Sequence, residues 1–174
     1  MAISIYDLRL ASQRSSRVAL AGSLYEAKSK NKQTAFLCHS HKDEDLAKGL
    51  QTLLAEDGWD IYIDWQDNTL PQEPNKETAS KIKNKIIETN WFLFLATNNS
   101  TSSRWCPWEI GYADAVKQNS NILIVPTTDQ SGHWYGNEYL QLYRKIDVGS
   151  SQIKKSGYAV FEPGATSGTW VQFL

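Results

Sequence analysis

The 174-residue sequence has almost no cysteine, no excess of charge and no long apolar run, and each shortage excludes a class of function. With 18 basic and 19 acidic residues the net charge is -1, so neither nucleic acid nor an anionic membrane surface is an expected partner. The longest apolar runs, WFLFLA from Trp91 and ILIV from Ile122, fall far short of the roughly 20 residues that span a bilayer. The start MAISIYDLRL lacks a secretory apolar core with a cleavage site, which makes the cytoplasm the expected location. Cys38 and Cys106 sit in unrelated segments and are expected to be reduced thiols, not part of a disulfide framework. No G-x-G-x-x-G or G-x-x-x-x-G-K-[ST] follows an apolar run, which removes dinucleotide-fold dehydrogenases and P-loop enzymes. Cys38, His39 and His41 alternate along one short turn with no CxxC or HExxH nearby, so no metal ligands and no cofactor are expected. A Cys106 nucleophile would need a positioned base, and His133 lies in a remote irregular segment.

What is present is an apolar content of 41%, enough to bury one core, and seven tryptophans. Residues 1–33 carry the loosely periodic Leu8, Leu10, Val18, Leu20 and Leu24 and the polar run from Lys28 to Lys32, read as an N-terminal helical extension and linker. Residues 34–128 form the core. Ala35 to Cys38, Trp59 to Ile63, Trp91 to Leu95 and Ile122 to Val125 read as strands, and three amphipathic stretches between them read as helices. Asp43 or Asp45 is the expected cap of the first of these helices and Gly58 its stop. Residues 129–174 are a C-terminal extension packed on the core, with a short helix near Tyr139–Tyr143 and a late strand at Tyr158–Phe161. The strand-helix alternation predicts an α/β fold, an open parallel sheet with helices on both faces. Ligands of such a sheet sit beyond the carboxyl ends of its strands, where the loops 39–43, 64–75 and 97–105 would emerge.

Three stretches on those loops carry a family resemblance. Phe36-Leu37-Cys38-His39-Ser40-His41-Lys42-Asp43 resembles the first box of Toll/interleukin-1 receptor (TIR) domains. Tyr62-Ile63-Asp64-Trp65 leads into a long proline-bearing loop at the place of the family's BB loop, and Trp105-Cys106-Pro107-Trp108-Glu109 is similar to the W-x-x-x-E element of TIR domains that cleave NAD. The resemblance covers about Thr34 to Thr128 and is closest to standalone bacterial members. It implies a flavodoxin-like fold, NAD+ as substrate, Glu109 as the catalytic carboxylate, and Trp105, Ser40, His39 and Asp64 as substrate-binding residues. Cys38 stands where serine is commoner, and Leu70-Pro71 and Glu73-Pro74 replace the arginine-proline-glycine pattern of receptor adaptors, which argues against an adaptor role.

The chemistry explains why one carboxylate and one indole can suffice. Nicotinamide is cationic in the substrate and leaves neutral, so no general acid is required, unlike ordinary glycoside hydrolysis. A carboxylate aimed at the ribose stabilises the charge that develops there, and an indole face holds the flat cation and limits water. Glu109 is expected to be ionised with help from the helix dipole. Trp105 belongs either to the helix or to the preceding loop, with Pro107 in the first turn. The structural alternatives stay open: a first-turn glutamate is a common stabilising choice, Ser40 and His39 fit a helix-capping turn, and Asp64 fits a loop that closes on itself. Trp108 is expected on another face as core and Lys42 as a solvated charge. His133, Trp134 and Tyr135 cover the site or form an exposed turn. The resemblance implies an NAD+ glycohydrolase or cyclase making ADP-ribose or a cyclic isomer as an immune signal in bacterial antiphage defence. Its partners would be further TIR surfaces through self-association and an effector reached through the nucleotide product. The rival is a non-catalytic TIR–TIR interaction module.

Overall fold

Runs that are apolar on both faces have to become covered strands, and the four expected ones do. The computed structural model describes residues 1–14, 21, 23–67, 75–136, 138–151 and 156–174. In chain order its elements are β1 (Ile3–Ser4), α1 (Ile5–Ser12), α2 (Leu24–Ser29), β2 (Gln33–Cys38), α3 (Glu44–Glu56), β3 (Trp59–Tyr62), α4 (Lys76–Glu88) and β4 (Trp91–Ala96). They continue as α5 (Asn98–Thr101), α6 (Cys106–Val116), β5 (Ile122–Thr128), β6 (Trp134–Tyr135), β7 (Arg144–Gly149), β8 (Gly157–Phe161) and β9 (Gly168–Trp170). Short 3-10 turns include His41–Asp43 after β2 and Asp64–Gln66 after β3. Leu70, Pro71, Glu73 and Pro74 of the proline-bearing loop, like Val18 and Leu20, lie outside the described residues.

The main sheet runs β3-β2-β4-β5-β7-β8-β9. Its first five strands are parallel, with Phe36 beside Phe92 and Phe94 beside Ile124, whereas β8 and β9 pair antiparallel. That parallel order is flavodoxin-like, and the chain reverses its winding direction between β2 and β4, which opens a crevice at their carboxyl ends. Side chains alternate across the strands. Leu37, Leu93, Leu95, Leu123 and Val125 meet Leu8 of α1 and Leu46, Leu50 and Leu54 of α3 on one face. Phe36, Cys38, Phe92, Phe94 and Ile124 meet Ile82 and Ile86 of α4 and Cys106 and Ile110 of α6 on the other.

Both ends of the chain are built into this sheet. Ile3 and Ser4 pair in parallel with Thr127 and Thr128, and α1 crosses α3 so closely that a Cβ on Gly49 would lie 2.0 Å from the Leu8 carbonyl oxygen. The N-terminal segment is therefore docked on the core. At the other end the sheet continues through the boundary drawn at residue 128, because β7 is its fifth parallel strand. A strand escaped notice there because, of Arg144–Gly149, only Ile146 and Asp147 are buried, too little for an apolar run. The late strand at Tyr158–Phe161 lies within β8, and Trp59 Nε1 donates to the Val171 carbonyl at 3.0 Å, tying the C-terminal turn to the core. Gly58 (φ 90°) stops α3 as expected, in the left-handed region that glycine enters without penalty. Among the described residues no helix is long and apolar enough to cross a membrane.

Candidate active site

The turn after β2, the segment after β4 and the described start of the loop after β3, residues 64–67, meet at the β2–β4 crevice. Asp43 joins two of them: its carboxylate accepts from Thr97 Oγ1 and, at 2.6 Å, from Asn99 Nδ2. It does not cap α3 through its side chain, contrary to the sequence expectation, because both oxygens are committed across the crevice. Asp45 pairs instead with Arg9 at 3.0 Å. Thr97 and Ser100 form a reciprocal capping box on α5, and Ser103 Oγ accepts from the N–H groups of Trp105 and Cys106 at 3.2 and 3.3 Å. Ser103 thus starts α6. A serine three residues before Cys106 was the available signal for it.

Trp105 takes the half-in position. Its dihedrals are helical (φ −89°, ψ −41°) and its carbonyl accepts from the Glu109 N–H at 2.9 Å, yet α6 proper begins at Cys106. Pro107 occupies the first turn, where its missing N–H costs nothing. The half-buried Trp105 indole meets Trp108 edge-on, with centroids 5.3 Å apart at 89°. Trp108 stacks in turn on Tyr112, and Lys83 Nζ lies over both rings at 5.6 and 5.1 Å. Trp108 packs against the core cluster below α4 and α6, as expected, and also braces Trp105, so the two indoles share one helical stripe with Tyr112 and do not lie on separate faces.

Glu109, one helical turn on from Trp105, lies against Cys38 of β2 and is only 5% exposed. Burial raises its pKa from 4.5 to about 8; the Cys38 thiol, which hydrogen-bonds the carboxyl, opposes the rise, and the nearby Cys106 and Asp64 add to it. Burial therefore works against the ionised carboxylate expected from the helix dipole. A rise of that size is worth on the order of 5 kcal/mol, whereas a helix N-terminus returns about 0.3–1 kcal/mol. Cys38 and Cys106, remote in sequence, come together beneath Glu109 as free thiols, with Cys38 Sγ 3.8 Å from the Cys106 carbonyl. Burial pushes the Cys38 thiol well up, while the neighbouring Cys38, and then Ser103, lower that of Cys106 against the effect of burial.

The remaining candidates gather on the same edge. His39 Nδ1 lies 3.1 Å from the Leu37 carbonyl and Nε2 3.8 Å from Asp64 Oδ1; burial lowers its pKa and Asp64 opposes that. Asp64 Oδ1 accepts from its own Trp65 N–H at 2.8 Å, so it closes its turn and faces His39 at once. Ser40 Oγ accepts from the Lys42 N–H at 3.4 Å, a turn cap, and Lys42 is exposed. His133 and Trp134 belong to an exposed turn organised by Asp129, which accepts from Ser131, His133 and Tyr135. Trp134 helps line a cavity of about 300 Å³ with Pro126, Leu140 and Tyr143 that none of His39, Asp64 or Glu109 lines. Among the described residues no group of three His, Cys, Asp or Glu is placed to hold a metal ion.

This geometry coincides with a family match. The TIR domain family model aligns with residues 35–156. The chain belongs to the TIR domain family. The match starts in β2 and runs past β7, so the TIR domain includes the strand beyond residue 128. A probable 3' cyclic ADP-D-ribose synthase, ThsB' of Bacillus cereus (strain MSX-D12), is 34% identical over 129 residues, covering 72% of this chain and 67% of that protein.

Proposed function

We propose that this TIR protein cleaves the nicotinamide-ribose bond of NAD+ and closes the remainder into a cyclic ADP-ribose, with ADP-ribose as the competing product of water. The observation that carries the reading is the buried Glu109 carboxyl at the β2–β4 crevice, with Trp105 one turn away and Asp64 within electrostatic reach. Such a site favours a ligand part that brings its own positive charge. The pyridinium of NAD+ does so, and its approach lowers the pKa of Glu109 so that the carboxylate forms as the cation arrives. As the C–N bond breaks, its electron pair returns to the ring nitrogen and positive charge spreads over the ribose. Glu109 then faces that charge in a dry site, where it is worth most. Trp105, braced by Trp108, supplies a stacking face for the ring.

The name of the Bacillus cereus relative supports cyclisation as the main outcome. Its 3' locant is a ribose position, so the proposed acceptor is a ribose hydroxyl of the same molecule. In this reading the product is an immune signal in bacterial antiphage defence, made in the cytoplasm by self-associated TIR domains and read by a separate effector. Ser40, His39 and Asp64 would contact substrate on the face opposite Trp105, and the protein itself needs no cofactor. The test is nicotinamide release from NAD+ by concentrated protein. Glu109→Ala is expected to lower it at least about 1,000-fold, the scale of losing one transition-state electrostatic partner. Turnover that persists in Glu109→Ala removes Glu109 from the mechanism, and no turnover by the assembled wild type favours an interaction module.

A further inference from the structure

Closing a ring through a hydroxyl creates a proton that Glu109 is poorly placed to take, since its carboxylate is needed opposite the ribose charge. The acceptor must lose that proton inside a site from which water is excluded. One group at the crevice is built to receive it. The His39 side chain is 2% exposed, and its Nε2 is buried without a hydrogen-bond partner. A carbonyl oxygen cannot donate, so the contact between Nδ1 and the Leu37 carbonyl places the ring hydrogen on Nδ1 and leaves Nε2 with a bare lone pair. Across from it, Asp64 Oδ1 stands 3.8 Å away, too far for a direct hydrogen bond. Two acceptors facing each other across that gap call for a donor. A phosphate cannot serve, because it brings only acceptors and negative charge beside Asp64 and Asp43; a sugar hydroxyl can.

We propose that His39 Nε2 is the general base that deprotonates the acceptor ribose hydroxyl during cyclisation, with Asp64 stabilising the imidazolium that forms. This rests on the NAD+-cleaving reading of the same crevice. In the step, the hydroxyl oxygen bonds to the anomeric carbon, the bond to nicotinamide breaks with its electron pair going to the ring nitrogen, and the hydroxyl proton passes to Nε2. The charges that act on His39 are Asp64 from the turn after β3 and His41 and Asp43 from the turn after β2. Burial keeps the imidazole neutral and therefore basic, and Asp64 at 3.8 Å favours the protonated form once the proton arrives. Water attack depends on this base less, because an attacking water can pass its proton to solvent.

The test separates nicotinamide, ADP-ribose and the cyclic isomer after incubation with NAD+, for wild type, His39→Gln and Asp64→Asn. His39→Gln is expected to lower the cyclic-to-linear ratio at least about tenfold, within the range ascribed to a general base, and Asp64→Asn is expected to lower it less. In wild type the ratio should fall at acid pH, below the ordinary imidazole range because burial lowers the His39 pKa, a readout that needs no variant to fold. A ratio unchanged in His39→Gln overturns the assignment of the base. Wild type that makes linear ADP-ribose alone also overturns it, while leaving the cleavage reading standing. Absence of nicotinamide release from wild type removes both.

Discussion

The two faces of the sheet are packed for different ends. Toward α1 and α3, the buried cluster consists of aliphatic side chains and the single indole of Trp59, whose N–H is satisfied by the Val171 carbonyl. Toward α4 and α6 the cluster is built on Phe36, Phe92 and Phe94 and admits two thiols, with Glu109 buried beside them. The first face gains stability from hydrocarbon removed from water. The second gives up some of that stability to hold a carboxyl out of water, where it costs least to leave neutral and most to ionise. The same sheet therefore separates the source of stability from the site that strains against it.

The largest effect that would sharpen this contrast is on the aliphatic face. Leu50→Ala removes a fully buried side chain and is expected to cost about 2–5 kcal/mol of unfolding free energy, with activity at low temperature retained in the folded fraction. A denaturant titration checks it. A loss of activity in protein shown to be folded would mean that the two faces are not independent.

Next comes the pH dependence of the other face. Glu109 has a folded pKa of about 8, above its unfolded value near 4.5. Its contribution to stability is fully present below about pH 4.5 and is lost as the pH rises toward 8. Glu109→Gln cannot ionise, so it should match wild type near pH 4.5 and exceed it by several kcal/mol above pH 8, the opposite of its effect on turnover. Parallel stability curves for the two proteins would show that burial does not raise the pKa of Glu109. The smallest effect concerns Cys38, which bonds the Glu109 carboxyl. A serine hydroxyl is a stronger donor than a thiol, so Cys38→Ser should move the acid limb of kcat/KM to lower pH by a fraction of a pH unit. An unmoved limb would mean that Cys38 only fills space.

Much of the fold was legible in the sequence because its parallel strands are covered on both sides and so are written as unbroken apolar runs, as in Trp91–Ala96. Strand β7 was not, since its alternation of charge with Ile146 resembles a loop until β5 and β8 are placed on either side of it. The Trp105–Glu109 spacing pointed to the site through the family resemblance, and Ser40, His39 and Asp64 were found on the same crevice edge. The contact of Trp108 with Trp105 across a helix start and the bonds of Asp43 to Thr97 and Asn99 across a crevice are set by geometry that spacing does not encode.

By itself, then, the sequence determined the order of strands and helices, the edge of the sheet where chemistry belongs and the residue types available there, because periodicity and turn chemistry are local. Tertiary structure alone decided that Cys38 and Cys106 meet beside Glu109, that burial raises the pKa of its carboxyl and that His39 Nε2 is left without a partner. Ionisation and hydrogen-bond satisfaction depend on what surrounds a group in space, and here the groups involved lie on strands and helices far apart in the chain.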